Sequence, residues 1–350
     1  MTRGALASRA MAALAALAAC ACDRAPSVTV YASADESVAR PVFERFERET
    51  GIRVDAKFDT EATKTTGLAN LLRAERARPR ADVFWSNEQA ANVALAAEGV
   101  TRADASLPGG LPAAWPAAWR DPAGAWFAFA GRARVIVHRP ALADPPRTWA
   151  QLADPRWKGA IAMADPRFGT TRGHFGAMKA YWDANAEPGY FEAFARALAA
   201  NGPALLTSGN AGVVDAVARG EAQVGLTDTD DVLAAQARGL DVAMVFPRHA
   251  DDPALPGGGT YAIPNTVAVV AGAPRPEAAR AFVAFMLRPA TERQLAEMPA
   301  RHAPLVSAPA PGDLAVPDPL RVDAAAASAA ADGAVGLFLR ELGEARERAR

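Results

Sequence analysis

Cysteine is almost absent from this chain: its 350 residues include 2, Cys20 and Cys22, both near the amino terminus. No disulfide can staple the body of the protein, so the fold must rest on its hydrophobic core. An excess of either charge is missing as well. With 38 Lys and Arg against 39 Asp and Glu, the formal net charge is −1. Such a chain has no basic surplus to neutralise phosphates, which argues against nucleic acid as a partner, and the locally basic segment Arg73–Arg80 reads as a solvated face. Catalytic signatures are lacking too. There is no GxSxG, no P-loop and no GxGxxG after a strand, so no enzymatic activity is expected. The 4 histidines, His138, His174, His249 and His302, show neither HxH nor HExxH spacing, which leaves an ordinary zinc site without support.

Long hydrophobic runs are also missing. The most apolar stretch, MAALAALAA from Met11, holds roughly 10 residues where a spanning helix needs about 20. It follows Arg3 and Arg9 and ends at Leu17-Ala18-Ala19-Cys20. A positive start, a short apolar run and small residues before a cut site make a secretory signal over 1–19. The cysteine after Leu-Ala-Ala resembles a bacterial lipobox, in which Cys20 becomes the lipidated first residue. A secreted protein without lipid and an uncleaved anchor are the alternatives. The chain is thus expected in the periplasm or cell envelope, touching the membrane only through Cys20. Loss of Arg3 and Arg9 with the signal moves the net charge from −1 to about −3.

What remains alternates between strand and helix patterns. After a linker over 20–27, Val28–Tyr31 reads as a strand. Val38, Val42, Phe43 and Phe46 then form one face of a helix that Ser33 or Asp35 would cap. Gly51 ends that helix, Ile52–Phe58 alternates as a strand, and Leu68, Leu71 and Leu72 mark a second helix. Ala81–Trp85 is a short buried strand and Glu88–Gly99 is helical. This order predicts an α/β domain with a largely parallel sheet. A Pro/Trp-rich connection, Leu107–Pro122, leads to Trp126–Val137, which is long enough to run between two lobes. A second series follows, with strands Ala160–Met163, Ala222–Thr227 and Val242–Phe246. Its helices are a short one ending at Leu152, then Arg172–Trp182, Tyr190–Asn201, Ala211–Arg219 and Asp231–Arg238. Next come a long apolar strand after Gly257–Gly259 and helix Pro276–Leu287. A Pro/Ala-rich stretch, Ala308–Ala331, precedes a last helix, Val335–Arg348. The expected organisation is two α/β lobes around a cleft. Lobe 1 takes 28–126 plus about 262–300 and lobe 2 takes 127–261, with hinge strands near Phe127–Arg134 and Ala262–Val267. A C-terminal extension over about 301–350 is assigned to neither lobe.

Several stretches together resemble the periplasmic solute-binding proteins of ABC importers, and among them the ferric-binding family. They are VTVYAS, FERFERETGIRVDAKFDT, ADVFWSNE with LAAEGV, WFAFAGRARVIVHRP, TWAQLADPRWKGAIAM, SGNAGVVDAVARGEAQVGL, and PEAARAFVAFML before APL, in order from Val28 to Leu305. The resemblance implies a type II-like two-lobed binding-protein fold that closes on a captured solute. It also implies delivery to a permease with its ATPase, a monomer, and no catalysis. Iron would be cargo rather than a cofactor, accompanied by an exogenous anion. The sequence departs from that family at its metal ligands. Where a tyrosine pair would follow Gly220-Glu221 and a strand, this chain has Asp230-Asp231. Asp35 stands roughly where a histidine is missing, while Glu61 sits near the family's carboxylate ligand. Iron held by a tyrosine pair is excluded; iron held by Glu61, Asp230 and Asp231 is not. A small zwitterion or phosphonate is the other cargo to weigh, and a sensory lipoprotein that feeds no permease is the rival function.

The residues themselves offer several candidate contacts. Asp228, Asp230 and Asp231 crowd a strand-to-helix turn, GLTDTDDV, where oxygens could hold a hard cation or an ammonium. An aspartate there is equally a helix cap, although one suffices for that, and the turn lacks the glycine and distal glutamate of an EF-hand. Thr170, Thr171 and Arg172 open a helix and would suit an oxyanion, or would simply cap it. Thr60 and Glu61, Asn87 and Glu88, and Ser33 and Asp35 all follow predicted strands, where ligands of α/β folds gather. Tyr261 and Asn265 lie at the return crossing, where a hinge role competes with ligand contact.

Overall fold

The computed structural model describes residues 25–58, 65–104, 107 and 115–348. The leader, Cys20, Thr60 and Glu61 lie outside the described residues. Strand β1 (Ser27–Ala32) leads into helix α1 (Glu36–Thr50), which buries Ala39, Val42, Phe43 and Phe46 at helical spacing. Gly51, at φ 71°, ends α1 in the left-handed conformation that glycine tolerates best. Strand β2 (Arg53–Phe58), helix α2 (Thr66–Ala74), strand β3 (Val83–Ser86) and helix α3 (Gln89–Ala97) complete the first series.

Strand β4 (Phe127–His138) is the junction. Every one of its residues is buried, which explains its continuous apolar reading. Its first half pairs antiparallel with β9 (Ala262–Val269), from Phe127 opposite Val267 to Ala133 opposite Ala262. Its second half pairs antiparallel with β7 (Val224–Asp228), and Arg134 stands directly opposite Asp228. Between the halves the register shifts at Phe129/Gly131, and Ala130 takes φ 35°. The sheet therefore runs β2-β1-β3-β9-β4-β7-β5-β6, with β5 (Ile161–Ala164), β6 (Ala204–Leu206) and β8 (Ala243–Val245), the last lying on β4. Pairs β1·β2, β1·β3, β5·β6 and β5·β7 are parallel, and those made by β4 and β9 are antiparallel. The strands of the first series are parallel as the sequence predicted, and the sheet as a whole is mixed because the two crossing strands run against both series.

Helices α4 (Gly169–Asn185), α5 (Tyr190–Ala200), α6 (Gly209–Ala218) and α7 (Thr229–Ala237) cover the second half. Helices α8 (Pro276–Met286) and α9 (Pro289–Glu297) return to the first. There Phe46 meets Phe282 at 5.0 Å and Phe285 at 5.2 Å, edge on, an arrangement that aromatic rings favour. Helix α9 and strand β6 were not anticipated. The last helix, α10 (Ala324–Arg348), begins eleven residues before the predicted start, since its alanine-rich opening is helix-forming. It packs on α4, α5 and α3. Gly176 of α4 makes this possible: a Cβ there would lie 2.2 Å from the Ala327 carbonyl oxygen.

The stretch between α9 and α10 is pinned to the junction. Gly131 and Ala303 exchange backbone hydrogen bonds of 2.7 and 2.6 Å. The buried Glu292 carboxylate accepts from the backbone N–H groups of Ala130, Leu305, Val306 and Ser307 at 2.6–3.2 Å. The bonds from Ala130 and Gly131 satisfy donors at the irregularity in β4, and the others hold the segment after α9 against it.

Candidate functional site

A cleft of about 280 Å³ opens at the carboxyl ends of β1, β3, β5 and β7, where α/β sheets place their ligands. Its charge pattern follows from the register of β4. Period-two alternation puts Arg132 and Arg134 on one face of that strand, and the Arg134 guanidinium donates to Asp228 Oδ1 at 2.8 Å. It also donates to Asn210 Oδ1, Thr171 Oγ1 and the Leu226 carbonyl. The other Asp228 oxygen accepts from Thr170 at 2.8 Å and Asn210 at 2.9 Å. Burial pushes the Asp228 carboxyl up, and Arg134 and Arg132 outweigh it, holding the group below the usual carboxylate range. Asp228 occupies the N-cap position of α7 without a capping bond from its side chain. Its oxygens go to guanidinium and polar partners instead.

Arg132 bridges the two halves. It donates to the Asn87 carbonyl at the end of β3, and lies 3.4 Å from Asp228 and 3.3 Å from Asp230. Burial lowers its affinity for a proton, and Asp230, Asp228, Asp231 and Asp35 more than restore it. Asp230 and Asp231, in the first turn of α7, bring one oxygen each within 4.8 Å of one another and of Asp228. Asp35 faces them from the start of α1, also without a capping bond from its side chain. Among the described residues Asp228 is matched to Arg134 and Asp165 to Arg167, and Asp35, Asp230 and Asp231 bring three further carboxylates to the cleft lining.

The remaining expected residues divide. Asn87, Thr170, Thr171 and Asn265 line the cleft. Ser33 and Thr65 stand behind Asn87, both donating to its Oδ1, at 3.2 and 2.9 Å. That leaves Asn87 its amino edge to offer. Glu88 caps α3 by accepting from the N–H groups of Ala90 and Ala91 at 2.7 and 3.1 Å, and burial pushes its pKa up. Tyr261 stacks on His174 at 5.4 Å, away from the cleft lining. Arg172 points away from the cleft and pairs with Asp332 of α10 at 2.7 Å. At about 100° per residue, two residues beyond Thr170 is the opposite face of the helix, and this corrects the expectation that Arg172 would meet a ligand anion.

Four residues of the site were not among the candidates: Arg132, Arg134, Asn210 and His302. The arginines carried a legible signal, since two guanidinium groups inside an otherwise largely apolar strand demand buried partners. His302 carried none, because it reaches the cleft only through the docking of the segment after α9.

The chain belongs to the family of bacterial extracellular solute-binding proteins, whose model matches residues 26–293. Iron uptake protein A1 of Synechocystis sp. is 25% identical over 280 residues, covering 77% of this chain and 73% of that protein. Iron-bound HitA from Pseudomonas aeruginosa has a similar structure, with TM-score 0.74 and 22% identity over 90% of this chain and 99% of that one. AfuA from Actinobacillus pleuropneumoniae, solved with exogenous fructose-6-phosphate, superposes with TM-score 0.73 and 19% identity over 91% and 99%. The fold is the two-lobed type II binding-protein architecture. No helix among the described residues is long and apolar enough to cross a membrane.

Proposed function

We propose that this protein captures a hard, oxygen-seeking cation between its lobes and hands it to the permease of an ABC importer. Ferric iron with an accompanying anion is the cargo the relatives' names suggest. The observation that carries the reading is the convergence of one oxygen each from Asp228, Asp230 and Asp231 within 4.8 Å, in a cleft that Asp35 also lines. Carboxylate oxygens are the donors hard cations prefer, and the resemblance would add Glu61. Anchoring through Cys20 belongs to the same proposal.

The zwitterion reading loses Arg172 from its expected anion-binding end. Arg172 is turned to Asp332, Thr170 gives its hydroxyl proton to Asp228, and Asn210 spends its amino group on Asp228 and Thr170. The cleft is also too roomy for a bare ion, which supports a cation that arrives with its anion.

Calorimetric titration of the purified protein with ferric citrate tests this. Saturable binding is expected, and at 100 times the dissociation constant it should stabilise the fold by about 2.7 kcal/mol. Asp230→Asn with Asp231→Asn should abolish the heat. Unchanged affinity in that double variant would refute the proposal, as would no binding by the wild type.

A further inference from the structure

His302 enters the cleft as a histidine whose tautomer is set by its neighbours. Three contacts decide it. The Trp85 indole, which can only donate, donates to Asn265 Oδ1 at 3.3 Å. The Ala130 carbonyl, which can only accept, takes a hydrogen bond from Asn265 Nδ2 at 3.0 Å. Both fix the Asn265 amide in one orientation, so its Nδ2 is also the donor to His302 Nδ1 at 3.0 Å. A ring nitrogen that accepts cannot carry the proton. In the neutral imidazole the proton is therefore on Nε2.

That Nε2–H is buried, belongs to a residue lining the cleft and has no hydrogen-bond partner among the described residues. It faces Asp230 Oδ2 at 3.9 Å, beyond hydrogen-bonding range. Metal-bound histidines need a bare ligating nitrogen and almost always donate their other N–H to an acceptor. Here the other nitrogen faces a donor, and reversing the ring's tautomer would set N–H against N–H.

We infer that His302 is a specificity-determining hydrogen-bond donor of the cleft, aimed at an acceptor oxygen carried by the cargo, and not a metal ligand. The inference rests on the cation reading for the identity of the cargo and deepens it: the cation must present an oxygen-bearing companion to the Nε2–H of His302. Asn87, which also lines the cleft, offers its amino edge as a further donor.

Two measurements test it. Long-range proton–nitrogen spectra of nitrogen-15-labelled protein should show His302 protonated on Nε2 and bare on Nδ1; the reverse pattern overturns the lock. The second measurement titrates gallium citrate, a diamagnetic trivalent probe, into wild type, His302→Gln and His302→Leu. The glutamine variant keeps an N–H donor and should bind within about threefold of wild type. The leucine variant should lose roughly three- to tenfold, the worth of one hydrogen bond. Equal losses in both variants, or loss of the Nε2 proton on gallium binding, would show that His302 acts by ligation and refute the inference. A wild type that ignores both gallium citrate and ferric citrate sinks the cation reading instead, and the unliganded spectrum still decides the tautomer.

Discussion

Replacing Arg134 by methionine would strand a buried carboxylate. Arg134 is wholly buried and its partner Asp228 is 1% exposed. Breaking such a pair from one side costs about 3–5 kcal/mol. Arg132 at 3.4 Å and the hydrogen bonds from Thr170 and Asn210 remain on Asp228, so the lower end, about 3 kcal/mol, is expected. Urea unfolding measures it as a fall in midpoint with unchanged slope. Asp228→Asn and the double variant complete a cycle whose coupling should reach about 2 kcal/mol. Acid adds a second reading. Because the folded Asp228 carboxyl titrates below its ordinary 3.8, the stability it contributes is complete above that value. It is lost as pH falls through the folded value. The gap between wild type and Arg134→Met should therefore narrow below about pH 4. A single-variant loss under about 1 kcal/mol, or losses that simply add in the double variant, would refute the pairing as an energetic unit.

Three further outcomes follow from the geometry. Arg172→Ala should leave affinity for ferric citrate unchanged, because the guanidinium engages Asp332 of α10; a tenfold loss by calorimetry would return it to the cleft. Gly176→Ala places a methyl group 2.2 Å from the Ala327 carbonyl and should destabilise by about 1–3 kcal/mol, read as a lower urea midpoint. His174 and His249, their Nε2 atoms 3.0 Å apart, are held neutral by burial, His249 down to about 4. Both contribute fully above the ordinary 6.5, and that stability drains away as pH falls toward 4. The slope is up to about 1.4 kcal/mol per pH unit for each ring. His174→Phe should flatten the profile between pH 7 and 5, and an unaltered slope would count against the reasoning.

Strand and helix order was legible because each element carries its own period: Val42, Phe43 and Phe46 announce a helix without knowledge of anything distant. The acidic turn was legible for the same reason, being local. Pairings were not. Arg134 finds Asp228 across 94 positions through a sheet register that no local pattern encodes. His302 depends on Glu292 gathering four amides at the hinge, and composition says nothing of that. Arg172 misled because adjacency in sequence was read as adjacency in space, while about half a turn of helix separates it from Thr170.

Strand β4 pairs with β9 in its first half and with β7 in its second, and it carries Arg132 and Arg134. A rotation of one lobe on the other bends the segment that bears them, since the bulge at Ala130 lies two residues before Arg132. Arg132, tied to Asn87 on one side and to the aspartates on the other, must adjust whenever the angle between lobes changes. Mechanical state and local electric field are then a single variable. A rotation between lobes would then change the field that meets the cargo, and charge brought to the site would load the segment of β4 that joins its two pairings.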